Sequence, residues 1–295
     1  MATELRGCVM RREEAPLGVM GAGVVGGALL AHLRGAGRDV RVYDPPKGFA
    51  DIGELDAAGI VFVCVPTPYT PHRGFDDRHL LRAASAIRGE KIVVVKSTVL
   101  PGTTAQLQER FPQHRFLFNP EFLREATAVE DFANPDRQIV GHTPRSAGDA
   151  QRVLELLPRA PFELICPAED AEMAKYVANS FLAVKVSYAN EIFDLCERLG
   201  TSYGRVRDIV AADLRIGASH TEVFDSGYRG YGGKCLPKDS KSLLDLARSA
   251  GIQLQVLAAA DAVNGRLTGE RAPVARPAAH AAARPAAAIP DERAA

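Results

Sequence analysis

The sequence predicts an α/β protein, a doubly wound parallel sheet followed by an all-α domain and a disordered tail. Three observations carry that expectation. Between about residues 16 and 166, short and continuously apolar runs alternate with helical runs, the pattern of strands buried on both faces of a parallel sheet. A glycine fingerprint joins the first such run to the first helix. From residue 170 the period changes to that of a single long helix, ended by Gly200, and no strand pattern follows it.

The first strand is Leu17-Gly18-Val19-Met20, and Gly21-Ala22-Gly23-Val24-Val25-Gly26 follows it, opening a helix to about Leu33. Val40-Arg41-Val42-Tyr43 is the second strand, ending at Asp44, which lies 18 residues past Gly26. Strand, GxGxxG, helix and a later acid together make the dinucleotide fingerprint of a Rossmann-type domain. Gly21, Gly23 and Gly26 admit a pyrophosphate to the helix start, with Val24 and Val25 in its first turn. Asp44 would accept from ribose hydroxyls and repel a 2′-phosphate, which selects NAD over NADP. Further strands are expected at 60–65, 91–95, 115–118 and 138–140, with helices at 77–87 and 104–111 between them.

Residues 167–266 read as a helical domain, with helices at 170–199, 203–212, 239–250 and 254–264. After Val274 the chain is rich in Ala, Pro and Arg; such a tail, counted from 267 to 295, buries too little to offset its ordering entropy.

Lys+Arg and Asp+Glu are both 36, so the balance gives no electrostatic reason to expect nucleic acid or an anionic membrane as partner. The longest apolar stretches are strand-sized, which excludes a spanning helix. Residues 1–16 lack the apolar segment of a secretory signal. Five scattered cysteines form no CxxC pair and the histidines no cluster, so a reducing cytoplasm is expected and no metal is assigned.

Chemistry concentrates in Gly230-Tyr231-Gly232-Gly233-Lys234-Cys235-Leu236-Pro237-Lys238-Asp239. Gly232 and Gly233 let backbone approach a ligand. Pro237 suits a first helical turn. The helix start and Lys238 both favour thiolate at Cys235. A nucleophilic thiol beside a nicotinamide suggests oxidation through a covalent thioester. Three successive strands end in polar, proline-bearing loops, at 64–68 with Thr67, at 96–104 with Thr98, and at 119–125. Ligands of open α/β sheets sit at those strand ends. A helix-cap or turn role is the plain alternative for each hydroxyl there.

The chain resembles the UDP-glucose/GDP-mannose dehydrogenase family. The matching pieces, in order, are 21–26, Val65-Pro66-Thr67-Pro68, Lys96-Ser97-Thr98-Val99, 119–125, Asn134-Pro135-Asp136-Arg137, Lys175-Tyr176-Val177-Ala178-Asn179, Arg215-Ile216-Gly217 and 230–239. The resemblance spans about residues 17–266. It implies oxidation of a primary alcohol on a nucleotide sugar to a carboxylate with two NAD, UDP-glucose being the first expectation. Lys175 and Asn179, four apart on one helix face, match the residues that hold the substrate oxygen. Asp239 matches an aspartate that handles protons with a water. Glu121 and Glu125 match family acids, with thioester hydrolysis assigned here to Glu125. Phe122, Leu123 and Gly232 fall to the substrate. Thr67, Thr98 and Lys238 fall to the cofactor, and Thr98 also to the catalytic group. Arg215 matches an arginine that reaches a neighbouring subunit, which implies a homodimer through the long helix.

The pattern departs from the family in two places. Members typically continue into a third, C-terminal α/β domain that closes over the site, whereas this sequence ends in the low-complexity stretch. The expectation is a member lacking that domain, or one completed by a separate chain. Arg215 and Cys235 are 20 residues apart, a few more than the family pattern, with the extra length around 219–226. Ala126-Thr127 stands where glycine is usual after the glutamate. Two other readings compete: a single-step β-hydroxyacid dehydrogenase, which needs no cysteine, and a non-catalytic NAD-binding protein.

Overall fold

A computed structural model describes residues 15–224 and 227–269. Strands β1 (Leu17–Met20), β2 (Val40–Tyr43) and β3 (Ile60–Val63) are followed by a two-stranded hairpin, β4 (Tyr69–Thr70) and β5 (Gly74–Phe75). Then come β6 (Ile92–Val95), β7 (Arg115–Phe118), β8 (Arg137–His142) and β9 (Phe162–Pro167). Helices α1 (Val24–Gly35), α2 (Arg78–Ala86), α3 (Thr103–Arg110), α4 (Ala128–Ala133) and α5 (Ala150–Leu154) lie between strands. After the sheet come α6 (Ala168–Leu199), α7 (Tyr203–Ala211), α8 (Leu236–Ser249) and α9 (Gln255–Gly269).

The large sheet has the order β2-β1-β3-β6-β7-β8-β9, so its direction of winding reverses between β1 and β3. Side-chain alternation explains why β1, β3 and β6 read as unbroken apolar runs. Val19, Phe62 and Val94 join Leu29 and Leu33 of α1 on one face. Val61, Val63, Val93 and Val95 join Leu80 of α2 and Leu107 of α3 on the other. Each strand feeds two cores, leaving no polar position along it.

The sheet departs from the all-parallel expectation at one place: β8 runs antiparallel to β7. The connection between them holds a 3-10 turn at Glu125–Thr127 and the six-residue α4, the latter about 9 Å long at about 1.5 Å per residue. Half of residues 119–136 form loop, so no long helix carries the chain back along the sheet before the next strand begins. The last strand, β9, pairs parallel with β8. It escaped the sequence reading because it is an edge strand, with Phe162 and Leu164 exposed and a charged residue between them.

The described residues form two compact units, residues up to 184 with 232–261, and 185–231 with 262–269. The first holds the whole sheet, the start of α6 and all of α8. There Tyr176 of α6 packs with Leu243 and Leu244 of α8 and Leu257 of α9, which seats α8 beside the face of α6 that carries Lys175 and Asn179. In the second unit the loop at 219–224 is anchored. Phe224 meets Phe193 edge-on at 5.5 Å, Val223 is buried and Tyr203 donates its hydroxyl to the Thr221 carbonyl at 2.6 Å. Helix α9 runs to Gly269 with Leu267 buried, so residues 267–269, expected to belong to the tail, are helical. The rest of the expected tail, 270–295, and Cys8 lie outside the described residues.

Candidate active site at the strand ends

The glycine loop is built for close approach. Gly21 has φ +91°, and a Cβ there would stand 2.6 Å from the Cys64 carbonyl oxygen. A Cβ at Gly26 would fall 1.9 Å from the Gly21 carbonyl oxygen. Both positions exclude a side chain on steric grounds alone. A Cβ at Gly23 would meet nothing within 4 Å. Gly23 is the N-cap of α1, which has no side-chain cap and no acid in its first turn. Its leading N–H groups therefore face outward with no carboxylate to compete for them, and these residues fit a dinucleotide pyrophosphate. Val24 and Val25 sit in that first turn, Val24 exposed. Asp44 closes the end of β2, accepting the Ala22 N–H on Oδ2 at 2.6 Å, and the Lys47 ammonium donates to the Ala22 carbonyl.

The next two strand ends are tied together. Thr67 donates its hydroxyl to the Thr98 carbonyl at 2.6 Å, and Ser97 donates to the Val65 carbonyl at 2.6 Å. Thr98 itself is half-buried. Beneath them Lys96, buried, donates to Asn119 Oδ1, and Asn119 Nδ2 donates to Gln138 Oε1 at 3.0 Å and the Ile139 carbonyl at 2.7 Å. Burial pulls the Lys96 ammonium down to about 8, against the raising fields of Cys64 and Glu121. Burial pushes the Cys64 thiol up to about 12, so Cys64 is an inert neighbour, as expected of a small buried residue.

A polar cluster assembles from three separate stretches of chain. Lys175, 3% exposed, donates to the Glu121 backbone carbonyl at 2.5 Å and pairs with the Glu121 carboxylate at 3.1 Å. Asn179 Nδ2 donates to Asp239 Oδ2 at 2.5 Å, and Lys238 donates to Asp239 Oδ1 at 2.5 Å. Asp239 is fully buried. Glu121 also accepts the Leu123 N–H at 2.8 Å, which folds the strap at 121–123 back on itself. The Phe122 ring lies between the Arg137 guanidinium, 3.8 Å from its centroid, and the Lys175 ammonium at 5.3 Å.

Cys235 is the exposed N-cap of α8. Glu121, Lys175, Asp239 and Lys238 all act on its charge. Their sum runs against the sequence expectation of a thiolate. The thiol is pushed up, by desolvation first and then by Glu121, with Lys175 and Lys238 opposing. Lys238, expected to lower it and to hold the cofactor, does lower it, from a position where its ammonium pairs with Asp239 at 2.5 Å.

Other expected residues make different contacts. Glu125 is exposed, its carboxylate 3.4 Å from Lys234 on the rim. Gly232 is half-buried, between Gly230 (φ +78°) and Gly233 (φ +72°). Arg215 belongs to the second unit, exposed and paired with Asp213 at 2.6 Å. The sequence reading gave no role to Lys47, Lys96, Asn119 or Arg137. A lysine ending the apolar run at 92–95 was the available signal for a buried charge at position 96. Among the described residues no group of His, Cys, Asp and Glu could hold a metal, and no helix is long and apolar enough to cross a membrane.

Comparison with known proteins matches residues 47–157 to the NAD binding domain of the UDP-glucose/GDP-mannose dehydrogenase family and residues 169–266 to its central domain. A UDP-glucose 6-dehydrogenase of Bacillus subtilis is 37% identical over 216 residues, covering 70% of this chain and 46% of the relative. Another, from Pseudomonas aeruginosa, is 38% identical over 240 residues, 75% of this chain and 50% of the relative. The chain thus spans about half the length of these relatives. Among solved structures, a UDP-glucose dehydrogenase of Pyrobaculum islandicum superposes with TM-score 0.70 at 32% identity, over 88% of this chain and 70% of that one. A 3-hydroxyisobutyrate dehydrogenase of Mycobacterium tuberculosis superposes with TM-score 0.69 at 19% identity, over 88% of this chain and 96% of that one, a likeness of fold alone.

Proposed function

The chain belongs to the UDP-glucose/GDP-mannose dehydrogenase family, and from that premise we propose that it oxidises a nucleotide sugar, UDP-glucose first, at C6 to the uronate through Cys235. One observation carries this reading. Lys175 and Asn179 on α6 lean on Glu121 and Asp239 around the helix start that bears the thiol.

NAD, when bound, would supply the hydride acceptor, with 21–26 placed to hold its pyrophosphate and Asp44 its ribose. The chain's own groups manage charge and protons. Lys175 has three N–H bonds and uses two on Glu121; Asn179 has two and uses one on Asp239. Each keeps a donor for the oxygen that gains charge when the alcohol loses its proton. Asp239, buried between two donors, takes protons by way of a water. Cys235 sulfur then bonds the aldehyde carbon while its proton passes to the carbonyl oxygen, giving a thiohemiacetal. The second oxidation leaves the acid as a Cys235 thioester. Water releases the carboxylate and returns the proton to sulfur. Glu121, at the cluster, supports the attacking water more directly than the rim residue Glu125.

The raised thiol favours a second reading, NAD binding without turnover. The long helix presents Val177, Phe181, Tyr188 and Leu195 exposed along one stripe, an apolar band that suits a second copy of the chain, to be checked by light scattering. Purified protein with NAD and UDP-glucose, GDP-mannose or 3-hydroxyisobutyrate, followed by NADH absorbance beside Cys235→Ser, separates the readings. Turnover with a nucleotide sugar alone, lost in the variant, supports the proposal. Turnover with the hydroxyacid that survives the variant supports a single-step enzyme, and NAD binding without NADH supports the non-catalytic reading.

A further inference from the structure

Four residues of α6 form one buried stripe: Glu172, Lys175, Tyr176 and Asn179, at the i, i+3, i+4, i+7 spacing of a single helix face. Lys175 and Asn179 reach the polar cluster. Glu172, with no exposure at all, reaches the other way. Its Oε2 accepts the Gly102 N–H at 2.6 Å, and its Oε1 accepts both the Thr104 N–H at 2.8 Å and the Thr104 hydroxyl at 2.5 Å. These are the orphan donors at the start of α3, whose own N-cap residue, Gly102 at φ +90°, offers no side chain. The cap of α3 therefore comes from a helix some 70 residues further along.

The loop that ends at this cap carries Thr98. Its near end is tied to the loop after β3 by Thr67 and Ser97. Between the ties, Val99 is buried in the sheet core and Leu100 packs against the cluster of Tyr176 and Leu243. We infer that Glu172 is a positioning residue: it registers the Thr98 loop, and the cofactor that this loop faces, against the face of α6 that carries Lys175 and Asn179. At φ +90° position 102 strains any side chain, so no local residue there can supply the cap; a side chain from α6 satisfies the donors and also fixes the loop to that helix. The expense of that choice is visible in the group itself, which desolvation pushes up to about 7 despite three hydrogen bonds that pull it down, with Glu169 adding to the rise. The inference rests on the dehydrogenase reading for what is being positioned.

The test uses the full chain and four variants. Glu172→Gln keeps the reach but leaves one amide NH2 facing a donor; Glu172→Ala removes the cap; Thr104→Val removes one donor and Thr104→Ser restores it. The readouts are amide hydrogen exchange and the NAD dissociation constant, neither of which needs turnover. Glu172→Gln is expected to speed exchange in 97–104 at least tenfold and to weaken NAD by about fivefold or more. Protection of β1, β3 and β6 stays as in the parent. Thr104→Val shifts both readouts in the same direction and Thr104→Ser returns them within twofold; this pair carries the test if the Glu172 variants do not fold. Exchange and NAD affinity within twofold of the parent in a folded Glu172→Gln protein would overturn the inference. So would a uniform rise in exchange across the sheet, which marks a merely structural role. Absence of NADH from the parent chain with every nucleotide sugar would count against the proposed reaction and leave these two readouts to decide the role of Glu172.

Discussion

Helices α1 and α8 both begin after a glycine-rich turn, and both have N-caps without a side-chain bond. At α1 the first turn holds no acid, and Gly23 leaves open space before the N–H groups. At α8 the first turn carries Asp239, buried and braced by Asn179 and Lys238. The first helix start keeps its positive field for an incoming anion. The second spends much of that field on its own carboxylate, and the Cys235 thiol at its tip is pushed up rather than down. A helix N-terminus is thus not a fixed device; at Cys235 its effect on the thiol is outweighed by desolvation and by Glu121, with Asp239 of the first turn adding less.

Cys235→Ala should break the comparison most completely. NADH formation should fall by about a thousandfold or more, with NAD affinity within twofold, because the proposed reaction puts the chemistry at the thiol end and the binding at the glycine end. Steady-state rates beside calorimetry read both. Gly26→Ala should do the converse. Its Cβ would meet the Gly21 carbonyl oxygen, so the loop must move, at about 1–3 kcal/mol in stability, and NAD affinity should drop about a hundredfold. A lost NAD signal with an intact melting transition would isolate the cofactor loop.

Glu172 gives an effect that belongs to neither helix start. Its folded value of about 7 lies above the ordinary 4.5, so the folded state holds its proton more tightly than the unfolded one. Stability from this group is full below about pH 4.5 and is lost as pH rises through 7. The loss is at most about 3.5 kcal/mol at about 1.4 kcal/mol per unit. Denaturant midpoints should show that decline in the parent and not in Glu172→Gln.

The thiol sharpens the comparison further. With its value raised, the thiolate fraction at Cys235 should grow about tenfold per pH unit between pH 7 and 9, and alkylation followed by mass spectrometry should track it. A plateau below pH 8 would mean a thiolate already formed. Glu121→Gln should speed alkylation at pH 7.5, and Asp239→Asn should do so less, following the order of their fields. Smallest of all, Lys234→Ala removes a rim pair with Glu125, both exposed, and should change stability by about 0.5 kcal/mol or less.

What the sequence made legible was what the backbone builds. The strands at 17–20, 60–63 and 92–95, the glycines at 21, 23 and 26, and the end of α6 at Gly200 with φ +66° follow from period and backbone conformation. Lys175 and Asn179 could be placed on one face by counting. Their partners could not, because Glu121 and Asp239 lie 54 and 60 positions away from them, and no local pattern reports a bond across that separation. Glu172 was missed for the same reason. The strand at 138–140 was expected, but its antiparallel direction and the edge strand β9 were hidden, because a short helix and an exposed strand leave weak periodic signals. The thiol's direction was misjudged because counting helix start and lysine omits Glu121 and the desolvation of the sulfur.

The central claim is two oxidations through one thiol, and the ratio of products tests it most directly. With limiting UDP-glucose and excess NAD, NADH should be counted by absorbance and the uronate by mass spectrometry. Two NADH per carboxylate formed, both lost in Cys235→Ala, is the predicted result. One NADH per sugar with the aldehyde accumulating, or a ratio unchanged by the substitution, would contradict it.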